Sequence, residues 1–455
     1  MEYKFCDLVP WRVFGKAVTL LIMQQIIVAS SSIWLASFIT AVQGLHDPLI
    51  WLAFYVASLL VPYLPGAASL IVLERAQTML AINFVHRFQD KWTGCVLLWP
   101  NRKEHARTSS LLTGEASQAL HAHLGYYYHM LSCTLNVLLN LVVIALIVDW
   151  TYLVSFAIGM VLAGILLLMQ RNRKRLLALL AQQERIQWTA VLLGLWDNVL
   201  LGNRYNLQMW TRLFSERGQK LMLTAVGLER FSQMISVSLA FLLLTPTLCL
   251  VTILVIQHLH DPPFLGIVAI TLPRLFQMLS CAYELLFLAS GLPAQRSRIR
   301  TVLDALRPSQ TTQETPSTFE KRLHWQQLQC SQTDDSLYEL KSLFDSPPQH
   351  GRFTLRGPNG SGKTSVLLLL KQKYGDAAFF LPAHHTLLFE QANEHLSTGQ
   401  RARTNFQELS NTVDASILLL DEWDANLDAN AIQELSRQID TISNSRCVIE
   451  ARHRT

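Results

Sequence analysis

Six long apolar runs occupy residues 17–43, 49–73, 128–148, 152–170, 234–257 and 264–290. Each holds about 19 to 27 residues, enough for a helix to cross the hydrocarbon core of a bilayer. Half of the 455 residues are apolar and 16% are charged, whereas charged residues make up roughly a quarter of ordinary soluble domains. The apolar excess lies in residues 17–290, and the last 140 or so read as a soluble sequence. The first run is too long for a signal peptide, lacks a small-residue cleavage site and is followed by five more, so it is expected to remain in the mature protein.

The charges between the runs orient them. The connections GLHDP, DWT and HLHDPP contain no Lys or Arg. The opposite side carries Lys4, Arg12, Lys16, Arg75, Arg87, Lys91 and the run RNRKR at 171–175. Positive residues stay on the cytoplasmic side, which predicts six spans with both termini in the cytoplasm. The internal segments 74–127 and 171–233 keep helical periodicity and mixed charge, as in LLALLAQQERIQWTAVLLGLWDNVLL, and are expected to continue the spans as helices. Pro62, Pro65 and Gly66 are expected to kink the second span. Arg274 and Glu284 lie inside the sixth; intramembrane charges are costly and face a cavity or a partner, which makes them candidate substrate contacts. Ten residues apart on one helix, about 15 Å, they are too distant to pair with each other.

RPSQTTQETPST, at 307–318, is polar and proline-containing and reads as a linker. The expected division is residues 1–306 for the membrane part, 307–319 for the linker and 320–455 for a soluble domain. A net charge of +5 gives no argument for nucleic acid. The seven cysteines are scattered without a C-x-x-C pair and read as buried or inert thiols, neither metal ligands nor a disulfide framework.

Within the soluble part, GPNGSGKTS (Gly357 to Ser365) satisfies the P-loop pattern G-x-x-x-x-G-K-[ST]. Its glycines let backbone N–H groups surround phosphate oxygens without interference from a Cβ. GRFTL before it is β-like and TSVLLLLKQKY after it is helical, so a helix N-terminus faces the anion. Gly357, Asn359, Gly360, Ser361, Gly362, Lys363, Thr364 and Ser365 are therefore the expected ATP-binding residues. Thr364 and Asp421 are the expected Mg²⁺ ligands, since Asp421 ends the apolar strand ILLLDE. Glu422 is placed to orient the attacking water.

LSTGQ at 396–400, with ILLLDE after it and ANLD at 425–428, resembles the ATP-binding cassette (ABC) transporter family. The family signature usually reads LSGGQ; Thr398 replaces one glycine, while Ser397, Gly399 and Gln400 remain. The resemblance implies that Ser397, Gly399 and Gln400 close over the nucleotide bound by a partner chain. It also implies that Asp428 belongs to the D-loop and that His453 is the switch histidine, assisting Glu422 and Lys363 in catalysis. Six spans ahead of a cassette are similar to a bacterial exporter half-transporter, and residues 200–214 resemble its second coupling region. DEW after the signature gives a weaker similarity to the branch that exports cyclic or modified peptides.

The departures from that family are specific. Only about thirty-three residues separate Lys363 from Leu396, where the family has around a hundred, so the helical subdomain is reduced. The Q-loop glutamine has no match, and His384 is the candidate replacement. Trp325 and Tyr338 are candidates for stacking on adenine. The expected fold is thus an all-α six-helix transmembrane domain followed by an α/β P-loop cassette with a reduced helical subdomain. The expected function is an ATP-hydrolysing exporter of a peptide-like or amphipathic molecule by alternating access. Its setting is the bacterial inner membrane, it uses ATP and Mg²⁺, and it works as a homodimer or with a related chain. The rival readings are a membrane-bound ATP-dependent regulator and a gradient-driven transporter with a vestigial cassette.

Overall fold

The computed structural model describes the chain apart from residues 1–4, 44–46, 102–103, 106–107, 110, 113–115, 261, 307–318, 322, 333–335, 384–386, 391–397, 426 and 453–455. The chain forms two compact units. One comprises Met1–Phe84 and Gly114–Leu303; the other comprises Val85–Thr113 and Asp304–Thr455.

The first unit is helical: α1 (Trp11–Gln43), α2 (Leu49–Leu60), α3 (Tyr63–Trp92, which from Val85 on belongs to the second unit), α4 (Ala116–Ile147), α5 (Thr151–Leu193), α6 (Leu195–Leu200), α7 (Arg204–Gln257) and α8 (Pro262–Asp304, whose last residue belongs to the second unit). Among the described residues six helical stretches are long and apolar enough to cross a membrane, α2 and α3 together making the second. This is a multi-pass membrane protein. The expected kink is a full break, since α2 stops at Leu60 and α3 restarts at Tyr63, either side of Val61–Pro62; Pro62 has no N–H to continue the ladder. Residues 171–233 are helical as expected apart from a turn at Gly194 and a second at residues 201–203, where Gly202 has φ of +66°.

Large apolar side chains such as Leu146, Leu168 and Phe241 are well exposed on the outside of the bundle, while Ile144, Leu239, Leu243 and Met278 are buried inside it. That inverted surface suits lipid. Helices α5 and α7 approach closely at Gly159, where a Cβ would lie 3.3 Å from the Leu243 backbone. Several polar groups inside the bundle find partners there: the Ser69 hydroxyl lies 2.7 Å from both the Ala17 carbonyl and the Tyr128 hydroxyl. Asn136 donates to Gln25 at 3.1 Å.

The second unit is built on a six-stranded mixed sheet in the order β2-β1-β3-β6-β5-β4. Its strands are β1 (Gln329–Gln332), β2 (Leu337–Tyr338), β3 (Gly351–Arg356), β4 (Ala378–Leu381), β5 (Ile417–Asp421) and β6 (Cys447–Ala451). β3, β6, β5 and β4 run parallel, and β1 and β2 add an antiparallel edge. The helices are α9 (Leu340–Asp345), α10 (Lys363–Tyr374), α11 (Thr398–Asn411) and α12 (Ala429–Ser443). Every residue of β5 and β6 is buried, as expected of parallel strands covered on both faces. Phe319, the last residue of the expected linker, is only 3% exposed and belongs to this unit's core.

Helix α10 carries Leu367, Leu368, Leu369 and Leu370, all buried. Four consecutive residues sweep most of a helical turn, so one sheet face cannot cover them all. The second cover comes from the 3₁₀ turn Val96–Leu98, whose Leu97 joins the same core, and Trp99 packs edge-on against Phe380 at 5.8 Å. The sequence boundary at 306 assigned this segment to the membrane part; it groups with the sheet.

Between β3 and β6 lies a buried ion pair. Arg352 donates through Nε and Nη2 to the two oxygens of Glu450, at 3.1 and 2.9 Å. Thr354 donates to Glu450 at 2.9 Å and Trp423 at 2.7 Å. Burial alone would depress the Arg352 pKa, but its bonds to Glu450 and then to Asp440 outweigh that and raise it. Removing the charge of Glu450 leaves a buried guanidinium without its main partner, a loss of about 3–5 kcal/mol. Glu450→Gln is therefore expected to lower the unfolding temperature of the second unit strongly in scanning fluorimetry. Asp440→Asn, whose side chain is 52% exposed, should cost under about 1 kcal/mol.

Candidate functional site

The carboxyl ends of β3, β6 and β5 lie level, with Leu355 opposite Ala451 and Ala451 opposite Asp421. In open parallel sheets the crevice beyond such ends is where ligands bind. The loop leaving β3 turns through Gly360 and Gly362, with φ of +83° and +100°, before α10 begins at Lys363. Those angles suit glycine and strain other residues. Gly357 is required for closeness instead: a Cβ there would meet Ser361 Oγ at 2.7 Å and the Gln327 carbonyl at 2.8 Å.

Lys363 is 6% exposed. Its Nζ donates to the Gly357 carbonyl at 2.8 Å, and among the described residues it forms no ion pair. Ser361 is buried and its hydroxyl has no hydrogen-bond partner among them. A buried cation held by one neutral carbonyl, beside a buried hydroxyl with none, has unmet capacity for an anion. The N-terminus of α10 adds its partial positive charge at the same place.

Thr364, in the first turn of α10, donates to both oxygens of Asp421, at 3.0 and 2.9 Å. A hydroxyl and a carboxylate form the hard-oxygen set that suits Mg²⁺, with the remaining positions left to water and phosphate. Desolvation, the leading cause, raises the Asp421 pKa from 3.8 to about 6; the Thr364 hydrogen bond and the Lys363 charge oppose it, and Glu422 adds to it.

Glu422 has φ of +43°, the one positive value at a non-glycine residue among those described. Strain of this kind gathers at functional positions when surrounding contacts impose it. Here the Glu422 N–H donates to the Ala451 carbonyl at 2.9 Å, and the next residue, Trp423, is tied to Glu450. Asp421, Glu422 and Trp423 are thus fixed in turn by Thr364, Ala451 and Glu450. The ties through Ala451 and Glu450 were not foreseen from the sequence.

The segment before β1 lies against the loop: the His324 N–H donates to the Ser361 carbonyl at 3.3 Å, and Leu323 abuts Gly362. Trp325 is 40% exposed and meets Phe344 edge-on at 6.0 Å. Tyr338 packs on Phe353 at 4.8 Å as part of the core. Asp428 caps α12, accepting from the Ala431 N–H at 2.7 Å. Gln400 is exposed on α11, whose first residues are Thr398 and Gly399. Ser397, His384 and His453 lie outside the described residues.

Arg274 and Glu284, in the other unit, serve separate clusters. Arg274 donates to Asn140 at 2.8 Å and to the Val28 carbonyl, while Glu284 meets His129 at 2.8 Å. Compared with known proteins, the chain matches no family model and no curated protein.

The fold holds the Asp421 proton more tightly than the unfolded chain does. Stability from this group is therefore complete below about pH 4 and is lost as pH rises through about 6. With chelator at pH 7.5, Asp421→Asn is expected to raise the unfolding temperature, by up to about 3 kcal/mol in stability. The gain should shrink as pH falls toward 4. Equal melting of both proteins at pH 7.5 would count against it.

Proposed function

We propose that the second unit is a P-loop ATPase cassette and that the chain is an ATP-driven membrane transporter. The observation that carries this reading is the buried Lys363, with no ion pair among the described residues, beside the unpartnered Ser361 hydroxyl at the end of β3. Six spanning helices ahead of such a cassette support transport as the work done. Export of a peptide-like or amphipathic molecule, and a place in the bacterial inner membrane with both termini inside, follow the family resemblance and the loop charges.

In this reading Lys363, Ser361 and the amides of residues 359–364 bind the phosphates of ATP. Thr364 and Asp421 give up their mutual hydrogen bond to hold Mg²⁺, which neutralises phosphate charge when bound. Glu422 accepts a proton from the attacking water and orients it; His453 assists. Trp325, next to the loop and half open to solvent, stacks on adenine in preference to Tyr338, which is committed to Phe353. A second copy of the chain supplies Ser397, Gly399 and Gln400 across the nucleotide, since donors placed where charge develops lower the barrier most. The packing of Leu97 and Trp99 on α10 and β4 gives the P-loop helix a direct contact with the segment that follows α3.

The test is ATP hydrolysis by the full chain in lipid. Glu422→Gln is expected to lower kcat at least ~100-fold, the lower end of what a positioned general base contributes, with ATP still bound. Lys363→Ala should abolish nucleotide binding. Trp325→Ala should weaken ATP binding by about 1–3 kcal/mol, the worth of a base–aromatic stack, with Tyr338→Leu acting on folding instead. Wild-type protein that binds ATP yet hydrolyses none would sink autonomous transport and favour a regulatory role.

A further inference from the structure

His129 and Cys133 stand four residues apart on α4 and so share one face of the helix. Glu284 reaches that face from α8. Its Oε1 lies 2.8 Å from His129 Nε2, and its Oε2 lies 3.7 Å from Cys133 Sγ. The imidazole nitrogen, the thiol sulfur and the carboxylate all fall within 4.8 Å of one another. With Zn–N near 2.0 Å and Zn–S near 2.3 Å, the edges of a tetrahedral site are roughly 3.3–3.8 Å. The three groups therefore need only small side-chain movements to enclose one ion.

A helix-to-helix hydrogen bond would account for His129 and Glu284. It leaves Cys133 unexplained: a thiol only 4% exposed, directed at the second oxygen of the same carboxylate. Charge points the same way. Glu284 lies within a membrane-crossing helix, and among the described residues its ion-pair partner is His129, which is charged only if protonated. A thiolate, a carboxylate and a neutral imidazole together balance a divalent ion, so the loaded site is neutral inside the bundle.

We propose that His129, Cys133 and Glu284 form a site for a borderline transition-metal ion of the Zn²⁺ class. The donor set sets the class: sulfur and imidazole nitrogen favour Zn²⁺ and its neighbours over Mg²⁺ or Ca²⁺. Binding forms metal–sulfur, metal–nitrogen and metal–oxygen bonds and breaks the Cys133 S–H bond; that proton passes to solvent, as does the one on His129 where it is protonated. Three protein donors leave a fourth position open, the arrangement of exchangeable rather than closed structural sites. The half-exposed His129 and Glu284 side chains leave that position reachable. Cys281, one turn before Glu284 on α8 and partly buried, is the nearest further donor along the helix. The site shares no residue with the proposed cassette chemistry and stands independently of it.

Co²⁺ is the probe, added to the full-length, tag-free protein in detergent. One equivalent per chain is expected to bind, with a thiolate-to-cobalt charge-transfer band in the near ultraviolet, proton release to a weak buffer, and displacement by Zn²⁺. Cys133→Ser should remove the band. His129→Ala and Glu284→Gln should each weaken binding at least ~10-fold, which even loss of an outer hydrogen-bond partner can cost. Cys281→Ser should keep the band and the stoichiometry. Absence of the band in the wild-type protein, or its survival in Cys133→Ser, overturns the site and leaves His129–Glu284 as a hydrogen-bonded tie between α4 and α8. Should Cys133→Ser fold poorly, Glu284→Gln carries the comparison: unchanged Co²⁺ affinity in it overturns the site equally.

Discussion

The carboxylate of Glu450 is the fixed point of the second unit. Arg352 reaches it from β3, Thr354 from the same strand, and Trp423 from the turn after β5, and Arg452 lies within ion-pair distance at 3.0 Å. A charge buried to this extent is tolerable only when its lone pairs are filled. Filling them fixes how β3, β6 and the end of β5 stand to one another, and those three ends form the candidate site. The left-handed turn at Glu422 persists because both neighbours are tied: Asp421 to Thr364 and Trp423 to Glu450. Structural polarity behind the sheet and chemical polarity in front of it are thus one connected system.

The helical unit solves the opposite problem. Its outer surface is apolar, so its polar groups must find partners inside. Hydroxyls of Ser30, Ser31 and Ser58 return to carbonyls of their own helices. Longer side chains bridge helices instead: Gln77 to the His121 carbonyl, and Arg274 to both α4 and α1. Arg274 has neutral acceptors as its hydrogen-bond partners, so its positive charge stays uncompensated by carboxylate among the described residues.

What could be read beforehand was local. The spans announce themselves by length and the absence of charge, and the break in the second by Pro62. The loop after β3 announces itself by glycines and a lysine at fixed spacing, and its strand–loop–helix setting is the one observed. What could not be read depends on partners distant in the chain. Nothing local in the sequence marks Glu450, because its partner Arg352 is 98 residues away. The proximity of Cys133 to Glu284 is likewise hidden, because spacing rules test neighbours along one segment and Glu284 lies on another helix. One further signal lies in the sequence itself: four successive leucines at 367–370 cannot be covered from a single side and so require a second covering element.

That element has a consequence for how the protein is made. Leu97 and Trp99 leave the ribosome more than two hundred residues ahead of the leucines they cover, with the helices from α4 to α8 emerging in between. The core of the second unit is therefore discontinuous in time as well as in sequence. Until residues 363–381 arrive, an early apolar turn waits uncovered; until that turn is in place, helix α10 keeps one face bare. Completion of the second unit is thereby tied to synthesis of the bundle, and a fragment beginning at residue 320 would lack part of its own interior.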